Sequence, residues 1–257
     1  MIRVEGIRFS YGQRTVLEDL SFRVGEKEKV VLLGVNGSGK STLMKILDGL
    51  IFPSEGEIHY RGEALTRKRL RNRTFNRRFR SEVVLLFQQP DMMIFNPTVF
   101  DEIAFGLRQI GADHIDERVR HWADRLDVTP YLDTPPFNLS GGEKQKVCLA
   151  SLLALEPSML LLDEPTSSLD PRSTGWLIDF LAQLDLTTLV TTHNLSLAEE
   201  LGRRCLILSE DHRLIYDGEL SPFLQDREKL IKANLVHTHR HAHGSVDHQH
   251  FHLHPWD

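Results

Sequence analysis

Most of what would take a chain into or across a membrane is missing from these 257 residues. There are only two cysteines, Cys148 and Cys205, too few for a disulfide framework, so a reducing cytosol is the expected setting. No apolar stretch approaches the roughly 20 residues of a membrane span, and no signal-peptide pattern is present. An integral membrane protein and a disulfide-stapled secreted domain are thereby set aside. Basic charge is not in excess. The formal net charge is −5, which argues against general nucleic-acid binding. No internal repeat is visible. What remains has the balance of a globular protein, with 40% hydrophobic and 26% charged residues, long enough to bury a sizeable core.

The placement of glycine is the first positive signal. Gly34-Val35-Asn36-Gly37-Ser38-Gly39-Lys40-Ser41-Thr42 fits the pattern G-x-x-x-x-G-K-[ST]. Backbone N–H groups can wrap a triphosphate only where the chain turns sharply and comes close, which glycine allows. In this pattern Lys40 reaches the β- and γ-phosphates and the Ser41 hydroxyl serves Mg²⁺. Residues 30–33 enter the loop as a strand. Leu43, Ile46, Leu47 and Leu50 leave it at helical spacing. The phosphates would then lie on a helix N-terminus, where the dipole favours negative charge.

The rest of the chain is organised around that loop. Ile7, Phe9 and Tyr11 alternate, as do Leu20, Phe22 and Val24, which predicts half-buried strands in an antiparallel layer. Runs at 83–87, 159–162 and 188–192 predict strands buried on both faces. Residues 98–155 read as a helical subdomain inserted into an α/β core, broken at Pro130, Pro135 and Pro136. The apolar runs at 206–208 and 214–216 flank a polar turn and predict a late hairpin.

Two further segments carry a resemblance. With Leu139-Ser140-Gly141-Gly142-Glu143 and Leu160-Leu161-Leu162-Asp163-Glu164, residues 1–225 resemble the ATP-binding cassette family, whose signature is LSGGE. The resemblance implies an ATPase using ATP and Mg²⁺. It implies that Asp163 holds Mg²⁺ through water and that Glu164 polarises the attacking water. Single positions follow. Tyr11 lies where an aromatic ring stacks on adenine. Gln88 matches a residue that senses Mg²⁺ and the membrane subunit. Ser168-Leu169-Asp170 matches the loop that crosses the dimer interface, and His193 matches the histidine that contacts the γ-phosphate. Taken singly, each has a plainer reading as a strand end or a turn; their order along the chain joins them. The family further implies a dimer in which Ser140, Gly141 and Gly142 of one subunit close over ATP held by the other. That dimer is either a homodimer or a pair with another cassette subunit.

The segment from Phe87-Gln88-Gln89-Pro90-Asp91 through Pro97-Thr98-Val99, with Ala104-Phe105-Gly106, is similar to the energy-coupling-factor importers, especially their cobalt and nickel branch. Met92 and Met93 replace that branch's Asp-Gln pair. They offer a partner helix an adaptable apolar surface, or they pack locally. The basic cluster between Arg67 and Arg80 has three readings: a solvated face, a contact with anionic lipid or a membrane subunit, and nucleic acid.

The C-terminal extension, residues 226–257, ends in two alternating blocks. The first is His237, His239, His241 and His243; the second is His248, His250, His252 and His254. Alternate residues of an extended chain share a face, and imidazole suits Ni²⁺, Co²⁺, Zn²⁺ and Cu²⁺. A disordered tail that binds metal without purpose is the plainer reading. The expected protein is the ATPase subunit of an importer for a transition-metal ion, nickel or cobalt. It would sit on the cytoplasmic face of the cell membrane against integral membrane transport subunits, with no nucleic acid expected. The alternatives are an importer ATPase for another small nutrient and a nickel-insertion nucleotidase or metallochaperone. For the latter, no Asn-Lys-x-Asp guanine-reading motif is found.

Overall fold

The computed structural model describes the backbone of residues 1–243 and 246–252, and the side chains of residues 1–236. The chain begins with β1 (Ile2–Tyr11) and β2 (Arg14–Val24), an antiparallel pair closed around Gly12-Gln13. Next come β3 (Lys29–Gly34), α1 (Lys40–Leu47), β4 (Glu55–Tyr60) and β5 (Glu63–Ala64). Then follow α2 (Arg73–Glu82), β6 (Val83–Leu86), α3 (Val99–Ile110), α4 (Ile115–Arg125) and α5 (Gly141–Leu153). The last stretch of the α/β core is β7 (Met159–Asp163), α6 (Pro171–Gln183), β8 (Thr187–Thr191), α7 (Leu195–Leu201), β9 (Arg204–Leu208) and β10 (Leu214–Glu219). Two short helices, α8 (Leu220–Gln225) and α9 (Arg227–Lys232), lead to β11 (His237–His243) and β12 (Val246–His252).

Two sheets form the layers. The antiparallel one runs β2-β1-β4-β5, and the six-stranded one runs β10-β9-β3-β8-β7-β6 with a parallel centre. The apolar run of β3 is explained by its two buried faces. Val30 and Leu32 pack toward the antiparallel sheet, while Val31 and Leu33 pack toward the helices. Helices α3, α4 and α5 pack on one another over residues 99–153; between α4 and α5, Pro130 and Pro136 lie in 3₁₀ turns and Pro135 caps the second of them. The late hairpin forms as expected from the sequence, as β9 and β10.

Two expectations shift. Helix α1 stops at Leu47 instead of running to Leu50. Gly49 takes the left-handed conformation (φ 66°), the Leu50 N–H turns back to the Lys45 carbonyl at 2.9 Å, and Leu50 is left exposed. Compact packing also continues past residue 225, since Ala233 and Val236 are buried in the helix-side core. Among the described residues, the His-rich tail pairs only with itself, in an antiparallel ladder apart from both main sheets, which is consistent with the expected disordered tail. An isolated two-stranded hairpin is marginal in water, so this ladder and an unpaired chain lie close in free energy.

The basic cluster is largely tied into the fold. Arg69 and Arg78 both pair with Glu63, Arg77 donates to the Gly111 carbonyl at 3.2 Å, and Arg67 stacks over Phe52. Arg80 reaches the end of α1, where it donates to the Asp48 and Gly49 carbonyls at 2.6 and 3.1 Å and to the Asp48 carboxyl at 3.0 Å. Burial nevertheless dominates Asp48 and pushes its carboxyl up to about 7 against the pull of Arg80. The folded state therefore holds a proton there that the unfolded chain has released. This contribution favours folding below pH 4 and fades as pH rises to about 7. Asp48→Asn should gain stability relative to the native chain as pH rises. The change should be up to about 1.4 kcal/mol per pH unit across that window, read by urea denaturation at pH 5, 6, 7 and 8. A pH-independent difference would show that Asp48 is ionised throughout.

Candidate active site

The phosphate loop leaves the end of β3 and enters α1 through Gly39, whose φ of 108° suits glycine alone. A Cβ there would come within 2.5 Å of the Val16 carbonyl oxygen. Gly39 also has no side chain with which to cap α1, so the first-turn N–H groups remain available to an anion. Above them is a cleft of 690 Å³ lined by Tyr11, Asn36, Gly37, Gly39, Lys40, Ser41, Thr42, Gln88, Glu164 and His193. The fold brings these residues together from five separate stretches of chain. Tyr11 is 51% exposed at the rim, its ring meeting Phe9 edge to face at 4.9 Å.

Arg14, Val16 and Ser167 line the same cleft and were not singled out from the sequence. Arg14 had one legible cue: the two-residue turn after Tyr11 places it directly opposite that ring in register. Gly34 and Ser38 do not line the cleft. Ser38 is buried and faces a neighbouring groove behind the loop.

The charged centre is compact. Lys40 is 6% exposed, and its Nζ donates to the Gly34 and Val35 carbonyls at 2.8 and 3.2 Å. It also lies 3.6 Å from Glu164 Oε1. The other Glu164 oxygen is 2.7 Å from His193 Nδ1. Glu164 itself holds a left-handed backbone (φ 48°), an unusual state for a side-chain-bearing residue. Its N–H donates to Thr191 Oγ1 at 2.7 Å, and Ser167 donates to its carbonyl oxygen through both N–H and Oγ. Asp163, at the end of β7, is buried and accepts from Thr191 Oγ1 at 2.8 Å.

These contacts set the protonation states. Burial pushes the Glu164 carboxyl upward, but the His193 hydrogen bond and the Lys40 charge outweigh it and hold the group below the usual carboxylate range. Burial lowers the Lys40 ammonium, with Glu164 opposing. The Glu164 hydrogen bond raises the His193 imidazole despite its partial burial. The arrangement offers an ionised carboxylate, a buried cation and an imidazole biased toward its charged form, all facing one cleft.

The signature residues sit elsewhere. Ser140 caps α5 in a reciprocal box with Glu143: its N–H donates to the Glu143 carboxylate at 2.8 Å, and the Glu143 N–H donates back at 3.4 Å. Gly141 and Gly142 form the first turn of α5. Gly142 and Asp170 line a second groove of 510 Å³ with Ser173 and Trp176. Asp170 has a local task there, accepting from the Arg172 and Ser173 N–H groups to cap α6. Within one chain, the fold does not bring Ser140, Gly141, Gly142 or Asp170 to the phosphate cleft. The eight histidines of the extension lie outside the residues whose side chains are described, and His254 lies outside the described backbone as well.

His193 provides a direct check on the charged centre. Its folded-state shift stabilises the protein below the ordinary imidazole range, and that contribution is lost as pH rises through the raised value. In Glu164→Gln the partner charge is gone while burial persists, so the His193 titration should move to lower pH. Imidazole NMR resonances followed from pH 5 to 9 measure this; an unmoved midpoint would mean that Glu164 does not set it.

The ABC transporter family profile matches residues 17–167. A Methanosarcina acetivorans protein described as an ABC transporter ATP-binding protein is 41% identical, covering 94% of this chain and 91% of its own length. The energy-coupling factor transporter ATP-binding protein EcfA of Methanothermobacter thermautotrophicus is 32% identical, covering 91% of this chain and 76% of its own length. Among solved structures, cbiO1 of Clostridium perfringens, described as part of the ABC transporter complex cbiONQ, is similar with a TM-score of 0.76. It is 28% identical and covers 91% of this chain and 94% of its own. A dimeric ATP-binding cassette bound to ADP and Pi gives a TM-score of 0.76 at 25% identity, covering 86% of this chain and 99% of its own. With its phosphate loop, its Asp163-Glu164 pair and its signature helix in one fold, the chain belongs to the ABC transporter family as an ATP-binding cassette ATPase.

Proposed function

We propose that this ATPase powers uptake of a transition-metal ion, nickel or cobalt, through separate integral membrane subunits, working as a cassette dimer on the cytoplasmic face of the membrane. The observation that carries the metal reading is the His-rich extension joined to a cassette similar to cbiO1. The register of the β11–β12 ladder supports it, since His237, His239 and His241 stand opposite His252, His250 and His248. No described helix is long and apolar enough to cross a membrane; in this reading the path for the ion is supplied by the membrane subunits. Met92 and Phe95 are largely exposed beside Gln88, and Phe95 meets Phe105 edge to face at 4.8 Å. This is an apolar surface suited to a partner helix. Met93 instead packs inward, its sulfur accepting from the Phe87 N–H.

In this reading the dimer joins two incomplete sites. Each phosphate cleft receives Ser140, Gly141 and Gly142 of the other subunit at a helix N-terminus, and Asp170 lies at the shared boundary. Tyr11 stacks on the base, and residues 34–42 hold the phosphates. The hydroxyl of Ser41, the amide of Gln88 and the carboxylate of Asp163 are hard oxygen donors, the type Mg²⁺ takes, and they would hold it. Mg²⁺ bound with ATP neutralises charge on the phosphates. Glu164, already ionised, orients and polarises water; His193 holds Glu164 and faces the γ-phosphate.

Glu164→Gln should bind ATP, accumulate as an ATP-bound dimer and hydrolyse roughly 10²-fold more slowly or worse. Size-exclusion chromatography and phosphate release measure this. Cells carrying the variant with its membrane subunits should lose Ni²⁺ or Co²⁺ accumulation; undiminished uptake of both would refute the metal-import reading.

The tail separates from the chemistry. Val236 is the last buried residue among the described side chains and the phosphate cleft is lined by residues 11–193, so truncation after Val236 should leave basal ATPase activity nearly unchanged. Metal binding by the full chain should exceed that of the truncated chain at pH 7.5 and weaken toward pH 5, as imidazoles with an ordinary pKa near 6.5 take protons. Calorimetric titration with Ni²⁺ and Co²⁺ reads the difference. Equal binding by both chains would remove the tail from the argument.

A further inference from the structure

The turn between β9 and β10 does more than close a hairpin. His212 sits in it with a left-handed backbone, φ 62°, where glycine would be the relaxed choice. A side chain kept in that state suggests a use for it. The His212 imidazole is half-buried, and its Nδ1 lies 3.2 Å from the backbone carbonyl oxygen of Ser38, inside the phosphate loop. A carbonyl oxygen only accepts, so Nδ1 carries the proton and donates.

The turn is anchored well enough to act as a strut. The Glu18 N–H, from β2, donates to the His212 carbonyl at 2.9 Å, and Arg213 reaches the Glu18 carboxylate at 3.3 Å. Within the turn, Ser209 N–H donates to the Arg213 carbonyl at 2.9 Å and His212 N–H to the Ser209 carbonyl at 3.1 Å. Strand β9 pairs with β3 up to Gly34, the first residue of the loop, opposite Leu208. The loop is thus gripped at its start by the sheet and at Ser38 by an imidazole. On the outer side, Asn234 bonds to Glu210 of the same turn, which ties the turn to the end of α9.

We infer that His212 is a positioning residue for ATP: its Nδ1–H fixes the Ser38 carbonyl, and with it the aim of the neighbouring loop N–H groups at the phosphates. This deepens the ATP-binding assignment and rests on it. His212 does not line the nucleotide cleft, so it acts through the loop. Ser38, Asn36 and Gly37 form one wall of a groove of 510 Å³, with Glu210, His212 and Asn234 opposite. Loss of the strut should therefore loosen the loop from behind and weaken ATP binding, while Glu164 and its chemistry stay in place.

The test exploits the strained backbone. His212→Gly removes the imidazole but relaxes the left-handed conformation, so the full chain should fold with a midpoint close to the native one. Its Kd for Mg²⁺–ATP, by calorimetry, should nonetheless rise roughly 3- to 10-fold, the effect of one lost hydrogen bond. His212→Asn places an amide donor on the same Cγ, where Nδ1 stood, and tolerates the left-handed state, so it should recover most of the affinity. Turnover at saturating ATP should change little in either variant. Glycine binding Mg²⁺–ATP as tightly as the native chain would overturn the assignment, and so would asparagine binding no better than glycine. Lys40→Ala, titrated alongside, reads the ATP site itself, which keeps failure of the ATP reading distinct from failure of the strut.

Discussion

The buried ammonium of Lys40 is the constraint around which the site is built. A cation this far from water must be paired and hydrogen-bonded or it costs several kcal/mol. It takes two carbonyls from its own loop and faces Glu164. Glu164 in turn holds His193. One charge therefore links the ends of β3 and β7 with the segment after β8. That linkage is possible because β3, β8 and β7 are neighbours in a parallel sheet, so their C-terminal ends open on one side. Crevices at such strand ends are where α/β sheets bind ligands.

Left-handed backbones occur at several non-glycine positions, and two of them belong to the site and its support. Glu164 and His212 both hold left-handed conformations, and each is fixed by hydrogen bonds from more than one element. The cost of such a state is on the order of 1–3 kcal/mol, sustained only where the surroundings over-determine it. Elsewhere the same conformation serves termination, as at Gly49, where glycine carries no Cβ penalty.

The phosphate loop and the signature segment open two different helices. Phosphate-binding donors come from the start of α1, and the signature glycines form the start of α5, each helix packed on the six-stranded sheet by a different face of the core. Helix α5 is held by a capping box and by Gln145, which donates to the Pro165 carbonyl just past Glu164. The signature segment is therefore coupled to the segment that carries Glu164 in its own chain. A cassette ATPase built this way has reason to work in pairs.

Much of this was legible in the residues themselves. The glycines, Lys40 and Ser41 announce the phosphate loop because the close approach of backbone to phosphate tolerates few alternatives. The buried strands announce themselves because a parallel sheet covered on both faces needs uninterrupted apolar runs, as in Val30, Val31, Leu32 and Leu33. Other features depend on which distant segments meet. The arginines near residue 70 read as a charged face, but Glu63, Asp48 and three backbone carbonyls absorb four of them. The α1 terminus was misjudged because apolar spacing continued to Leu50 while the backbone turned at Gly49. Arg14, Ser167 and His212 carry no motif. Their importance comes from cross-strand register, from a turn after β7, and from a hairpin that lands on the loop, all contacts between segments far apart in the chain. Sequence determined the chemistry of the phosphate site because that chemistry restricts residue type locally; tertiary structure decided what supports it, because support requires only a group at the right distance.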